Sequence, residues 1–173
     1  MQLTPVTQKF VLHWGEMGSR WGINRTIAQI HALLYVSPEP LNADQIAETL
    51  SVARSNVSMS LRELQGWGIV QVVPVLGERK DHFTTQQDVW EMLLVVLDER
   101  KKREMDPTLT ILRECVMEAK EAGDSEKHTA KRLGELLQLV ETCGGWYGQV
   151  RALPRPMLVR FLKMGSKLGK LLR

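Results

Sequence analysis

Between Leu41 and Phe83 the chain sets two short helical patterns, a tight turn and a broken β-rich stretch in an order that few architectures satisfy. In the first pattern, Leu41-Asn-Ala-Asp-Gln-Ile-Ala-Glu-Thr-Leu50, the residues Ile46, Ala47 and Leu50 fall on one face, and Ala47 is small where a second helix must cross. In the second, Val57, Leu61 and Leu64 recur at i, i+4 and i+7 and anchor a helix on a core. Gly66 and Gly68 bracket Trp67 and turn the chain into a strand over Ile69 to Val73; Gly77-Glu-Arg-Lys-Asp81 forms a charged tip, and His82-Phe83-Thr84 returns. Helix, turn, helix and hairpin in that order predict a winged helix-turn-helix, the arrangement that enters the major groove of DNA.

Apolar spacing alone fits any helical hairpin, so the outer face decides. Arg54, Ser55, Asn56, Ser58 and Arg62 lie opposite the Val57/Leu61/Leu64 stripe: short hydrogen-bonding groups and two guanidiniums, suited to base edges and phosphates. Arg79 and Lys80 stand where a wing touches the backbone or the minor groove. Charge argues the other way. Residues 41–85 hold four basic and five acidic side chains, so the basic stripe usual on a DNA-binding face is missing. Two heads acting together would double each contact, which makes a homodimer part of the DNA reading.

The rest of the chain reads as helix. Val6, Phe10, Trp14 and Met17 predict an amphipathic helix over about 6 to 19. Asn24 fits an N-cap for a second helix with Ile27, Ile30, His31 and Leu34 inside, closed by Pro38 and Pro40. Thr84-Thr85 reads as a cap for a helix carrying Val89, Trp90, Leu93, Leu94 and Leu97, which ends in Arg100-Lys-Lys-Arg103. Pro107 fits the first turn of the next, with Leu109, Leu112, Cys115, Val116 and Ala119 inside, and Gly123-Asp-Ser stops it. A further helix over roughly 126 to 143 carries Leu133, Leu136, Leu137, Leu139 and Val140, a sector too wide for one neighbour, with Gly144-Gly145 as its end. Pro154-Arg-Pro156 opens a last helix, apolar at Leu158, Phe161, Leu162, Leu168 and Leu172 and basic at Arg160, Lys163, Lys167 and Lys170, which suits docking on the dimer or lying on an anionic surface.

The expected fold is therefore mainly α with a small β wing: a DNA-binding domain over 1–85 and a helical dimerisation and effector region over 86–173. The net charge of +3 hides a basic end, since residues 151–173 hold seven Lys/Arg and no acid while residues 1–150 are net −4. No apolar run reaches the ~20 residues that span a bilayer, and no secretory pattern opens the chain, so a cytoplasmic location is expected. Cys115 and Cys143 sit in helical patterns and read as reduced buried thiols. His13, His31, His82 and His128 lie in separate elements without partners at metal-ligand spacing, His31 reads as a satisfied core histidine, and no nucleophile or phosphate-loop signature is present. Neither metal, cofactor nor catalysis is expected.

Arg20-Trp-Gly-Ile-Asn-Arg25, Ser37-Pro-Glu-Pro-Leu41, Ile46-Ala-Glu48, Asn56-Val-Ser58, Leu61-Arg-Glu-Leu64, Trp67-Gly68 and Gly77-Glu-Arg-Lys-Asp-His-Phe83 together resemble the GbsR branch of MarR-type winged-helix regulators, over about residues 10 to 90. The resemblance implies a homodimer on a palindromic operator that represses or tunes transcription. It carries the recognition positions onto Arg54, Ser55, Asn56, Ser58 and Arg62 and the wing arginine onto Arg79. Ala53 departs from it, standing where a Ser cap is common. Some regulators of that branch sense a small effector of quaternary ammonium or osmolyte type, which would need an aromatic cage; Trp14, Trp21, Tyr35 and Trp90 are the candidates for one here, with Trp146 and Tyr147 behind them, and the alternative is that these rings fill the core and the dimer seam. The alternative from another class is a winged-helix module for protein contacts that binds no specific DNA.

Overall fold

Two capping side chains and two glycines build the N-terminal helix pair in this computed structural model, which describes residues 2–161 and Met164. Thr4 Oγ1 accepts from the Thr7 N–H at 3.2 Å and starts α1 (Pro5–Arg20), with Pro5 in the first turn where its missing N–H costs nothing. Asn24 Oδ1 accepts from the Thr26 N–H at 2.8 Å and starts α2 (Arg25–Val36). Val11, Gly15 and Gly18 make the buried line of α1; a Cβ on Gly18 would come within 2.5 Å of the Ala28 Cβ, so only glycine lets the helices approach this closely. The buried face is thus shifted from the expected stripe, and Val6 is 78% exposed. α2 is buried nearly all round.

The winged helix follows. β1 (Leu41–Asn42) leads into α3 (Ala43–Leu50), whose start is a capping box: Asn42 Oδ1 accepts from the Asp44 and Gln45 N–H groups while Gln45 Oε1 accepts from the Asn42 N–H. Ser51 turns the chain in the left-handed region (φ 53°). α4 (Arg54–Gly66) then begins at Ala53 with no side-chain cap. β2 (Val70–Val73) and β3 (His82–Thr85) form the wing, joined by a turn with Gly77 at φ +83°. The sheet is antiparallel in the order β1-β3-β2, with Leu41 opposite Phe83 and Val72 opposite Phe83 on the other side. The expected hairpin therefore has a third strand. Thr85, expected as a helix cap, is instead a buried strand residue whose hydroxyl donates to the Ile69 carbonyl at 3.0 Å. The cap falls to Asp88, which accepts from the Trp90 N–H at 2.9 Å at the start of α5 (Val89–Arg100).

The chain divides into two compact units, Met1–Val96 and Leu97–Arg173, the division falling within α5. In the first, Ile30, Leu33, Ile46 and Val57 are fully enclosed, Leu34, Leu61 and Leu64 nearly so, and Val95 and Val96 pack against this core. Each such side chain contributes roughly 1.5–3 kcal/mol by leaving water. In the second, a π turn (Lys101–Met105) carries α5 directly into α6 (Asp106–Glu121), with no break before Pro107. A 3-10 turn (Gly123–Glu126) leads to α7 (Lys127–Arg151). Gly144-Gly145 do not end α7: glycine costs roughly 1 kcal/mol per helical position yet keeps its N–H, and the helix runs on to Arg151, three residues before Pro154. Leu112, Val116 and Ala119 of α6 are buried, while α7 has no fully buried residue. Arg113 grips Glu141 through Nε and Nη2 at 2.9 and 2.8 Å. Tyr147 and Arg151 both donate to Asp98. Residues 155–161 are helical again with Leu158 buried, and most of the basic face predicted for the last helix lies outside the described residues. Cys115 is half-buried and Cys143 is exposed, contrary to the expectation of two buried thiols. Among the described residues no helix is long and apolar enough to cross a membrane, and no cluster of His, Cys, Asp and Glu could hold a metal ion.

Candidate nucleic-acid interface

The outward face of α4 is set by what its inward face must bury. With Val57, Ser60, Leu61 and Leu64 packed inside, the 3.6-residue period leaves Arg54, Ser55, Asn56, Met59 and Arg62 exposed and Ser58 half-buried. Arg54, at the first helical position, donates from Nη1 to the Ser58 hydroxyl, which in turn donates to the Arg54 carbonyl at 3.1 Å. The side chain is thereby folded along the first turn of the helix.

The wing lies beside this face. The Glu78 N–H donates to the Val75 carbonyl at 3.1 Å and closes the tip, leaving Leu76 fully exposed. On the return limb, buried His82 holds its Nδ1 2.9 Å from the Lys80 carbonyl, which ties the basic pair Arg79-Lys80 to the sheet. Arg54, Ser58, Arg62, Arg79 and Lys80 all line one open, polar groove between α4 and the wing, of about 450 Å³. Ser55 and Asn56 are exposed on the same helix outside its lining.

One groove residue had no place in the sequence expectations. Asp44, in the first turn of α3, accepts from Arg54 Nε at 2.6 Å on one oxygen and from Lys80 Nζ at 2.8 Å on the other. The hydrogen bond from Lys80, and then that from Arg54, hold its carboxyl below the usual carboxylate range, while Asp44 raises the Lys80 ammonium in return. The pairings span 10 and 36 residues, so no local pattern marked them. Met59 of α4 and Leu76 of the wing tip, apolar and exposed, were likewise missed.

The aromatic candidates separate. Trp14 and Trp21 line an apolar cleft of about 240 Å³ with Trp67, Ile27 and Met92, while Tyr35 and Trp90 lie outside its lining. Phe10, Trp14, His31 and Tyr35 form a chain of tilted rings with successive centroids 5.4, 6.3 and 6.4 Å apart. His31 is not the satisfied core histidine expected: among the described residues its Nε2 has no hydrogen-bond partner, and burial pushes its pKa down to about 4.

Helix-turn-helix, three-stranded wing and an outward face of Arg, Ser and Asn define a winged helix-turn-helix domain. Residues 21–81 match the sequence model of the MarR family. Over 87 residues the chain is 21% identical to YvaV of Bacillus subtilis (strain 168), assigned by inference as an HTH-type transcriptional regulator, a match that covers 50% of this chain and 49% of that one. The chain thus spans about half the length of that curated relative. A crystal structure of a transcriptional regulator superimposes with a TM-score of 0.54 at 19% identity, covering 84% of this chain and 99% of the other, and establishes likeness of fold. An S. aureus MepR mutant bound to an oligodeoxyribonucleotide scores 0.40 at 16% identity, over 80% of this chain and 92% of that one, too low to bear on what this chain does.

Proposed function

We propose that the chain is a sequence-specific DNA-binding transcriptional regulator of the GbsR branch, without catalytic activity, that acts in the cytoplasm as a homodimer on a palindromic operator and represses transcription. The observation that carries this reading is the groove that unites Arg54, Ser58 and Arg62 of α4 with Arg79 and Lys80 of the wing. On this reading α4 enters the major groove with Ser55, Asn56 and Arg62 toward base edges, and Arg79 and Lys80 meet phosphate or the minor groove. Residues 1–85 read DNA and residues 86–173 dimerise. Support for the dimer comes from α7, whose Leu136, Leu139 and Trp146 are exposed on a helix with no fully buried residue. Two heads then read half-sites about one helical turn, or a multiple of it, apart.

Trp14 and Trp21, with Trp67, supply the π faces that a small cationic or apolar effector would need, and the cleft they line is the effector site of this reading. The rival, a winged-helix module for protein contacts, is favoured by one observation: residues 41–85 carry no net positive charge.

Selection of bound fragments from genomic DNA separates the two, since a regulator enriches one palindrome and a protein-contact module enriches none. Replacing Arg62 or Arg79 by Ala should weaken operator binding by about 1–3 kcal/mol per contact, counted twice in a dimer, with the sedimentation coefficient unchanged. Normal binding by either variant removes that residue from the interface.

A further inference from the structure

Asp44 sits where a DNA-reading surface should least want an acid. The groove carries four cations, Arg54, Arg62, Arg79 and Lys80, and the carboxylate of Asp44 engages two of them. Every phosphate neutralised by a free cation releases counterions and tightens binding to any duplex, so this pairing lowers affinity for DNA in general.

The geometry shows what the pairing does instead. Three segments separate in sequence converge on one carboxylate: α3 through Asp44, the first turn of α4 through Arg54, and the return limb of the wing through Lys80. Each oxygen takes one cation, as the two non-bridging oxygens of a phosphate diester would. The backbone beneath Asp44 is fixed, since its own N–H donates to Asn42 Oδ1 at 3.1 Å within the capping box. Lys80 is fixed as well, through its carbonyl beside His82 Nδ1. Both ion pairs are open to solvent, with all three side chains half or more exposed, so an incoming phosphate can displace the carboxylate without entering a closed site.

Resting on the reading that α4 and the wing contact DNA, we propose that Asp44 is a specificity-determining positioning residue: its carboxylate is an internal phosphate mimic that holds Arg54 and Lys80 at a set separation and masks them from duplexes that offer no better partner. An operator whose base contacts bring phosphates into register displaces Asp44 and gains both cations at once. An arbitrary duplex meets a groove already partly neutralised. Specificity is then a difference of affinities, widened by penalising the wrong partner.

The test compares the wild-type chain with Asp44→Asn, which keeps shape and the capping backbone but removes the charge. Affinity is measured for the selected operator and for a duplex of unrelated sequence over a range of salt, with circular dichroism confirming the fold. Asp44→Asn should bind the unrelated duplex about fivefold tighter, with a salt slope steeper by about 1 per head, and its operator-to-unrelated ratio should fall. A merely structural role predicts the opposite, a detached wing and weaker binding to both duplexes. Unchanged slope and unchanged affinity for the unrelated duplex overturn the inference, as does weakening of both. A second comparison holds even if Asp44→Asn misfolds. Lys80→Gln should cost less affinity for the unrelated duplex than Arg79→Gln, because Arg79 has no carboxylate partner among the described residues. Equal losses count against the mask. A wild-type chain that binds neither duplex removes the DNA reading and the inference together, whereas normal wild-type binding with an indifferent Asp44→Asn removes the inference alone.

Discussion

The winged-helix unit and the helical unit bury apolar surface in different ways. In the first, Ile30, Leu33, Ile46 and Val57 are wholly enclosed by side chains of the same unit. In the second, α7 runs for 25 residues without one fully buried side chain, and Ile111, Met117, Leu139 and Trp146 are each more than half exposed. A helix is stabilised chiefly by tertiary packing of its apolar face, and α7 has only a half-buried one. The head buries its core within its own contacts, whereas the helical unit leaves apolar side chains open to a second surface, such as the one the proposed homodimer would bring.

Truncation breaks that contrast most directly. Leu61 is 2% exposed in the head and Leu139 is 60% exposed on α7. Leu61→Ala should lower the free energy of unfolding by about 3 kcal/mol, read by chemical denaturation. Leu139→Ala should leave the unfolding of the head within about 0.5 kcal/mol of wild type and weaken self-association in sedimentation instead. Comparable losses of head stability would erase the distinction between the units.

Acid sharpens the same contrast, because the head carries a buried group that titrates against folding. The folded-state pKa of His31 is about 4, below its ordinary value near 6.5. Between those values the unfolded chain binds a proton that the folded chain refuses, so stability is complete above pH 6.5 and falls as pH drops toward 4. The loss amounts to about 3 kcal/mol by the lower end. His31→Leu should remove this component, so the stability difference between variant and wild type must grow as pH falls. A difference constant across that window means that His31 is not held neutral in the fold.

The smallest effect lies at the start of α4. Ala53 makes no side-chain cap, and Ala53→Ser should raise head stability by about 1 kcal/mol, visible as a higher thermal midpoint. No gain would show that the first turn already meets its needs through water.

How far the sequence foretold these features depends on whether local chemistry governs them. Asn24 announces the start of α2, the Val57/Leu61/Leu64 spacing places α4 against the core, and Arg54, Arg62, Arg79 and Lys80 could be read as outward cations. β1 could not be read, because two residues become a strand only through pairing with His82 and Phe83 some forty positions on. Thr85 looked like a cap because its type favours caps, but its partner is the carbonyl of Ile69, sixteen residues back. Gly144-Gly145 looked like a stop because propensity is a weak prior that a continuous backbone ladder overrides. Of the groove, the cations were legible and the acid that binds them was not, since Asp44 reads locally as an ordinary first-turn carboxylate at a helix start.

Gly18 governs more than the approach of two helices. It lines the same apolar cleft as Trp14 and Trp21, and the atom that a larger residue would strike is the Cβ of Ala28, which cannot swing aside. At Gly15 the nearest obstacle is the flexible side chain of Gln29, which can. The two glycines therefore differ as control points. A methyl at Gly15 must displace the side chains of Gln29 and Arg25, whereas a methyl at Gly18 acts as a wedge that must part α1 from α2 at the wall of the cleft. Gly18 is the position from which the volume open to a small molecule can be reset by a single carbon atom.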